Sequence, residues 1–230
     1  MLAACTLSAA FAHYTWVVAA AMPFVVGKSV KIMVAHGDRF PHTDEAVNAA
    51  QVKLYVLAPS GARTDLKATA EKIAVSSTFT PREAGTHRIV FTQDRGPMSR
   101  TPNGVKPGGR DRNPNATEAF SLIRTGVSYV GSGANTALGL DLELTAQLVS
   151  GVWQLQLLRN GKPVVGEAVQ VLLQEHEDAI AVGKTGADGR LVYKPVSSPG
   201  PLLFLAEVKE KVSGMAINFR TLSTSTYVNW

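Results

Sequence analysis

Apolar and polar residues alternate with a period of two along most of the chain, and this pattern is typical of half-buried β-strands. The clearest runs are residues 29–34, 52–57, 73–79, 86–91, 118–130, 138–144, 152–158, 168–173 and 190–193. Turn-forming residues separate the runs, and no segment has a convincing helical period. Short strands at this spacing predict antiparallel β-sandwiches.

The alternation is interrupted near the middle of the chain, where Gly131-Ser132-Gly133 has the composition of a linker. We therefore predict an all-β protein with two antiparallel Ig-like or transthyretin-like β-sandwich domains in tandem, at residues 13–130 and 134–230. Residues 93–116 are rich in glycine, proline and asparagine, so they predict a long loop in the first domain. Arg159-Asn160-Gly161-Lys162 predicts a hairpin turn in the second.

The first twelve residues predict export. They form an apolar run ending in Ala10-Phe11-Ala12, which has the form of a signal-peptide remnant without its basic region. Cleavage there would place the protein outside the cytoplasm and make His13 the first residue. Leu2-Ala3-Ala4-Cys5 also has the shape of a lipoprotein box, so lipid anchoring at Cys5 is a second interpretation.

Composition excludes several classes of function. The net charge of +5 comes from basic residues that are mostly scattered, and aromatic residues make up only 7% of the chain, so nucleic-acid binding is not indicated. The sole cysteine, Cys5, lies in the predicted leader, so the mature chain would have no disulfide and no thiolate nucleophile. After the leader no apolar run is long enough to cross a membrane. No catalytic motif is present, so we predict no enzyme and no catalytic residues.

Histidine supplies the candidate chemistry, because nickel, cobalt and copper(II) favour imidazole and amine nitrogens. A free α-amine and the ring Nδ1 of His13 can close one chelate ring. His36 and His42 flank a short loop, with Asp38, Asp44 and Glu45 close by. His36 shares the parity of the apolar positions of the strand before it, so it is expected at the inward edge where that strand ends. We predict that His13, His36 and His42 converge on one metal ion. The alternative is that His36 is a polar residue at a strand end and His42 a solvated loop residue.

Two further histidines are weaker candidates. His87 shares strand parity with Ile89 and Phe91, so it is predicted to be a packed, hydrogen-bonded histidine at the edge of the core. His176 lies in an acidic hairpin tip, Glu175-His176-Glu177-Asp178, which would attract a cation but is equally well explained as a solvated turn.

The chain as a whole resembles the DUF4198 family over nearly all of residues 12–225. The resemblance is carried by Ala12-His13 with Trp16, His36-Gly37-Asp38-Arg39-Phe40-Pro41, the strand at residues 139–144 and Asn160-Gly161-Lys162-Pro163. It implies a bacterial periplasmic protein with two β-sandwich halves, related to nickel- and cobalt-uptake components. The metal would then be nickel or cobalt, with copper as a further candidate, and a membrane transporter component is a candidate partner.

The second half also resembles transthyretin-like or carboxypeptidase-regulatory-like modules. These modules share the Asn160-Gly161-Lys162-Pro163 turn and the later Thr185-Gly186-Ala187-Asp188-Gly189-Arg190 turn. They commonly have aspartate where this chain has Gly186. The resemblance therefore implies a fold and no activity.

The function predicted on these grounds is binding of a transition-metal ion for uptake or homeostasis. The alternative is a non-catalytic adhesion or scaffold module that binds a protein or glycan through sheet edges or the 93–116 loop. A carbohydrate-active enzyme is the weakest hypothesis, because the carboxylate pair it needs converges only in three dimensions and the sequence singles none out.

Overall fold

The structure is a computed structural model that describes residues 13–131, 133–134, 136–176, 178–195, 199–214 and 216–229. The predicted leader and its lipoprotein box lie outside these ranges. Within them the chain forms β-strands joined by turns, with one 3₁₀ helix at Ala49–Gln51, so the all-β prediction is confirmed. No helix in the described ranges has the length and apolar character needed to span a membrane.

The strands of the first half are, in chain order, β1 (Tyr14–Ala19), β2 (Val30–Gly37), β3 (Val52–Leu57), β4 (Arg63–Leu66), β5 (Thr69–Ala70), β6 (Ala74–Phe79), β7 (His87–Thr101), β8 (Gly104–Pro107) and β9 (Glu118–Val130). Those of the second half are β10 (Gly133–Ala134), β11 (Glu143–Val149), β12 (Val152–Arg159), β13 (Lys162–Pro163), β14 (Ala168–Leu173), β15 (Ile180–Lys184), β16 (Arg190–Tyr193), β17 (Pro201–Lys211) and β18 (Phe219–Asn229).

These strands form three sheets. The N-sheet has the order β1-β2-β6-β5, and the C-sheet has the order β10-β11-β12-β13 with β16 also paired to β12. Between them lies the central sheet, with the order β15-β14-β17-β18-β9-β7-β3-β4 and β8 attached to β7. The central sheet draws strands from both halves of the chain.

Both faces of the central sheet are buried, because alternate side chains of each strand enter different hydrophobic cores. Val90, Val127 and Phe204 point to one face and pack with Trp153 of the C-sheet. The other face is covered by the N-sheet in two patches. The fold is thus a sandwich of three layers, with the central sheet shared by two cores.

The two predicted domains are joined by strand pairing. β9, the last strand of the predicted first domain, pairs in parallel with β18, the last strand of the chain, from Phe120↔Phe219 to Ser128↔Tyr227. The linker predicted at this point therefore separates the halves in sequence but not in the sheet, and Gly133 belongs to β10. The boundary itself stays a prediction, which the experiment at the end of this subsection tests.

Residues 93–116 differ from the loop expected there. β7 continues to Thr101 and turns through Gly104 into β8, so much of this stretch is a β-hairpin extending from the central sheet. Its glycines and prolines mark a register shift between Asp94 and Pro97 and the hairpin turn. The turn predicted at Asn160-Gly161 is confirmed, since both residues have positive φ and β12 pairs with β13 across them.

Strand β1 anchors the N-sheet to the central sheet. Trp16 is fully buried and meets Phe40 edge-on at a centroid distance of 5.7 Å, and Phe40 in turn contacts Tyr227 of β18. The side chain of Val17 points to the opposite face of β1 and packs in a second core, formed by residues of β2, β3 and β7. This double contact fixes the start of β1 against the central sheet.

We expect residues 13–131 expressed alone not to fold cooperatively, because β9 loses its partner β18 and the side chains of Tyr55, Val90 and Val127 lose the C-sheet that covers them. Urea titration followed by circular dichroism would show no sigmoidal transition, whereas residues 13–230 would unfold cooperatively. A cooperative transition of the fragment would instead establish it as an independent domain.

Candidate metal centre

The start of β1 and the end of β2 lie side by side at one corner of the N-sheet. The two strands are antiparallel, with Thr15 opposite His36 and Tyr14 opposite Gly37. Residues directly opposite each other share a face, so this register places the His36 ring beside Thr15, and His13 just beyond the strand end. His36 also shares the parity of Ile32 and Val34, and like them it is buried, as its position in the sequence predicted.

The His36 ring is held in one orientation by its Nδ1 atom. Nδ1 lies 2.7 Å from the carbonyl oxygen of Tyr14 and 2.8 Å from Oγ1 of Thr15. Because a carbonyl oxygen can only accept, Nδ1 carries the hydrogen and donates it. The other ring nitrogen, Nε2, therefore bears a lone pair in the neutral ring and is the atom available to a metal.

Glu45 reaches this nitrogen because the loop after β2 folds back on the strand. The backbone N–H groups of Asp44 and Glu45 donate to the carbonyl of His36, as does the Thr43 hydroxyl at 3.0 Å. The close return requires Gly37, since a Cβ there would lie 2.8 Å from the backbone oxygen of His42. The carboxylate of Glu45 is left with Oε2 3.2 Å from His36 Nε2.

His13 completes the group. Its Nε2 lies 3.7 Å from Oε1 of Glu45, and its ring centroid lies 5.7 Å from that of His36. One potential ligand atom from each of His13, His36 and Glu45 lies within 4.8 Å of the other two. His13 and Glu45 are exposed while His36 is buried, so the centre opens to solvent on one side.

Electrostatics favour the neutral form of His36. Burial, followed by the nearby positive charge of Arg124, lowers the pKa of His36 to about 4, although Glu45 and the Tyr14 carbonyl act in the opposite direction. At neutral pH the Nε2 lone pair thus faces a carboxylate oxygen at 3.2 Å, with two acceptors and no proton between them. A cation between these atoms would turn this repulsion into attraction.

The spacing suits a metal ion. Bonds of about 2.1 Å, as zinc forms with histidine nitrogen and carboxylate oxygen, hold neighbouring ligand atoms roughly 3.0–3.5 Å apart at angles of about 90–110°. The His36–Glu45 separation of 3.2 Å falls in this range, and the His13–Glu45 separation of 3.7 Å lies slightly outside it. A small rotation of the exposed His13 side chain would close the difference.

The structure brings together two of the three ligands predicted from sequence. His42 lies outside the group, because its Nε2 is 3.0 Å from Oε2 of Glu175 in the second half of the chain. The same Glu175 oxygen also lies near the guanidinium of Arg39. Glu45, a neighbour in sequence that was not selected, takes the third position. Glu45 reaches the centre because the loop after Gly37 folds back on β2, and sequence spacing alone does not reveal that fold-back.

The other two histidines stand apart from the centre. His87 is buried against Phe24 and Phe79, and its Nδ1 lies 3.0 Å from the Gly85 carbonyl, so the prediction of a packed histidine at the core edge is confirmed. His176 is exposed, and its neighbour Glu177 lies outside the described residues.

The comparison with protein families gives a direct answer. Residues 10–210 match the family described as "Domain of unknown function (DUF4198)". The chain belongs to the DUF4198 family. No curated protein matches it. Membership in this family brings no assigned activity.

Similarity to solved structures is distant. A DUF4785 family protein from Legionella pneumophila is 11% identical with a TM-score of 0.31, and the match covers 83% of this chain and 52% of that protein. This DUF4198 chain thus spans about half the length of the Legionella protein. A segment of two fibronectin type III domains from chicken tenascin is 9% identical with a TM-score of 0.27, covering 92% of this chain and 99% of the segment.

The lowered pKa of His36 has a consequence for stability in the metal-free protein. Below the unfolded-state pKa of about 6.5, the unfolded chain takes up a proton here that the folded chain refuses until about pH 4. We therefore expect this residue to lower the free energy of unfolding by up to about 3 kcal/mol as the pH falls from 6.5 to 4.

Urea titrations of His36→Gln and the native chain across this pH range would isolate the effect, with His42→Gln, which removes an exposed histidine, as the control. The native and His42→Gln proteins should lose stability in parallel while His36→Gln loses less. Equal slopes for all three proteins would contradict the burial argument.

Proposed function

We propose that this DUF4198 protein is an exported, periplasmic metal-binding protein that holds one divalent transition-metal ion for uptake or homeostasis. His13 and His36 supply imidazole nitrogens and Glu45 a carboxylate oxygen. The observation that carries the proposal is the convergence of His13, His36 and Glu45, in which the buried His36 ring holds Nε2 3.2 Å from a carboxylate oxygen. Nickel, cobalt and copper are the candidate ions, because imidazole-rich sites favour the later divalent metals of the first row.

The arrangement suits binding and release. His36 is fixed by two contacts at Nδ1, which is the outer-shell support that orients metal-binding histidines. The side chains of His13 and Glu45 are 40% and 52% exposed, so they can exchange the ion with solvent or with a partner. A membrane transporter component is the partner that such exchange would serve. Three ligands leave coordination positions open for a further group.

Export would supply one further ligand. Cleavage after Ala12 would free the α-amine of His13, which can close a chelate ring with Nδ1 of the same residue if the exposed ring turns so that Nδ1 takes the place of Nε2 at the ion. The centre would then gain a nitrogen donor and remain incomplete in the precursor. This part of the proposal depends on processing between Ala12 and His13.

Titration of residues 13–230 with Ni²⁺, Co²⁺ and Cu²⁺ in a calorimeter tests the ligand set. We expect micromolar or tighter binding of one ion per chain. The variants His13→Ala, His36→Ala and Glu45→Gln should each weaken it by more than the roughly 10–100-fold that loss of an outer-shell partner costs. His42→Ala is the matched control and should leave the affinity unchanged. Absence of binding by the native chain, or equal loss in His42→Ala, would overturn the proposal.

The role of the α-amine can be measured separately. We expect a chain that begins at His13 with a free α-amine to bind Cu²⁺ more tightly than the same chain with that amine acetylated, because only the first has an amine donor next to the imidazole. Mass spectrometry of the protein recovered after export would identify the true first residue. Equal copper affinities for the two chains would show that the amine is not a ligand and leave the three side chains as the site.

A further inference from the structure

A pocket adjoins the metal centre on the face of the central sheet that the N-sheet covers. It has a volume of about 250 Å³, and one wall is formed by Thr15 of β1 and by His13, which precedes that strand. This is less than the roughly 300–1,000 Å³ of pockets that hold drug-sized molecules, so the pocket suits a small metabolite. Because His13 belongs to both, a molecule in the pocket would lie against the metal ion.

The pocket is built on a polar row that crosses the central sheet. Strand register places Glu207 of β17 opposite Ser223 of β18, Ser223 opposite Arg124 of β9, and Arg124 opposite Gln93 of β7. Neighbouring strands are about 4.8 Å apart, so Glu207 and Arg124 stand roughly 10 Å apart with Ser223 between them. The guanidinium of Arg124 and the carboxyl of Glu207 therefore flank the pocket floor, and burial raises the pKa of that carboxyl to about 7.

Arg124 has an incomplete set of partners. Its NH1 donates to Oε1 of Gln93 at 3.3 Å, and among the described residues no carboxylate lies within 4 Å of its guanidinium. Burial lowers the pKa of Arg124 to about 10, so the group stays charged at neutral pH. It lines both the pocket and a smaller cavity that contains His36 and Glu45. Glu45 and Glu207 favour its charged form from a distance, but a half-buried guanidinium with no carboxylate in direct contact among the described residues can still pair with an anion.

A buried hydroxyl in the same pocket also has no partner within the described part of the chain. Ser225 is 3% exposed, lines the pocket, and its Oγ makes no hydrogen bond. It shares the parity of Ser223 and Tyr227 on β18, so it lies on the face that the pocket occupies. Buried hydroxyls in native proteins are normally hydrogen-bonded, so an unpaired one in a cavity points to a polar ligand.

We propose that this pocket binds a small metal-chelating organic acid whose carboxylate pairs with Arg124. A nitrogen or oxygen on the carbon next to that carboxylate would fill an open position on the ion held by His13, His36 and Glu45. This inference rests on the proposed metal binding and extends it, since the cargo becomes a complex of the ion with an α-amino or α-hydroxy acid. Arginine suits this role because its planar guanidinium pairs with a carboxylate through two parallel hydrogen bonds.

Equilibrium dialysis with two labels tests the inference on residues 13–230. Radioactive Ni²⁺ reports the ion, and labelled L-histidine, citrate or acetate reports the acid. We expect the metal-loaded protein to retain L-histidine or citrate one to one with the ion, and to retain no acetate, which has no α-donor. The L-histidine and citrate arms decide between the amino and hydroxy classes.

Variants separate the pocket from the metal centre. Arg124→Gln should lower retention of the acid by at least roughly tenfold and leave binding of Ni²⁺ alone no weaker than in the native chain. Ser223→Phe, which fills the pocket and replaces none of the three metal ligands, should also lower retention of the acid, and it guards against a folding defect in Arg124→Gln. Arg95→Gln is the matched control, because it removes the same charge from a residue that lines the smaller cavity and not the pocket.

The outcomes distinguish the two proposals. Failure of the native chain to bind any of the three ions overturns the proposed function and this inference with it. Binding of the ion without any acid, or acid retention that survives both Arg124→Gln and Ser223→Phe, overturns the inference alone. Loss in Arg95→Gln equal to that in Arg124→Gln would show a general charge effect and would also overturn it.

Discussion

The parallel pairing of β9 with β18 is the constraint on which the rest of this structure depends. It closes the last strand of the chain onto the last strand of the first half and so makes one central sheet from both. The same pairing aligns Glu207, Ser223 and Arg124 in one row and offers a continuous face on which the N-sheet packs. Without it, His13 would have no wall of the central sheet opposite it.

In the candidate centre, backbone contacts hold Nε2 of His36 close to a carboxylate oxygen of Glu45. The bond from Nδ1–H of His36 to the Tyr14 carbonyl fixes the ring, and the loop that returns after β2 fixes Glu45. Each contact is favourable, yet together they face a lone pair toward a carboxylate oxygen. Such local conflicts with otherwise consistent packing are typical of functional sites.

Strand periodicity determines how much could be read from sequence. Alternation predicted the all-β class, and parity placed His36 on the inward face of β2, because both depend on neighbours along one strand. The position of Glu45 depends on how the loop after β2 folds back, and the position of Arg124 depends on which distant strands pair with β9. The pattern of residues along the chain contains neither kind of information. For the same reason sequence spacing groups His42 with His36, whereas Glu175 approaches His42 from 133 positions away. The glycine and proline content of residues 93–116 predicts a loop, whereas β7 and β8 pair there as a hairpin.

Gly37 gives the centre an unusual dependence on a residue without a side chain. Its missing Cβ is the space that the His42 carbonyl and the Asp44 carboxylate occupy, the nearest atom being only 2.8 Å away. An alanine there would push the returning segment outward and separate Glu45 from the two imidazoles, although every ligand would remain in the sequence. Relatives that keep both histidines and the glutamate but carry a bulkier residue at this position would have the donors without the geometry. The smallest residue is therefore the better marker of a competent site when DUF4198 chains are compared.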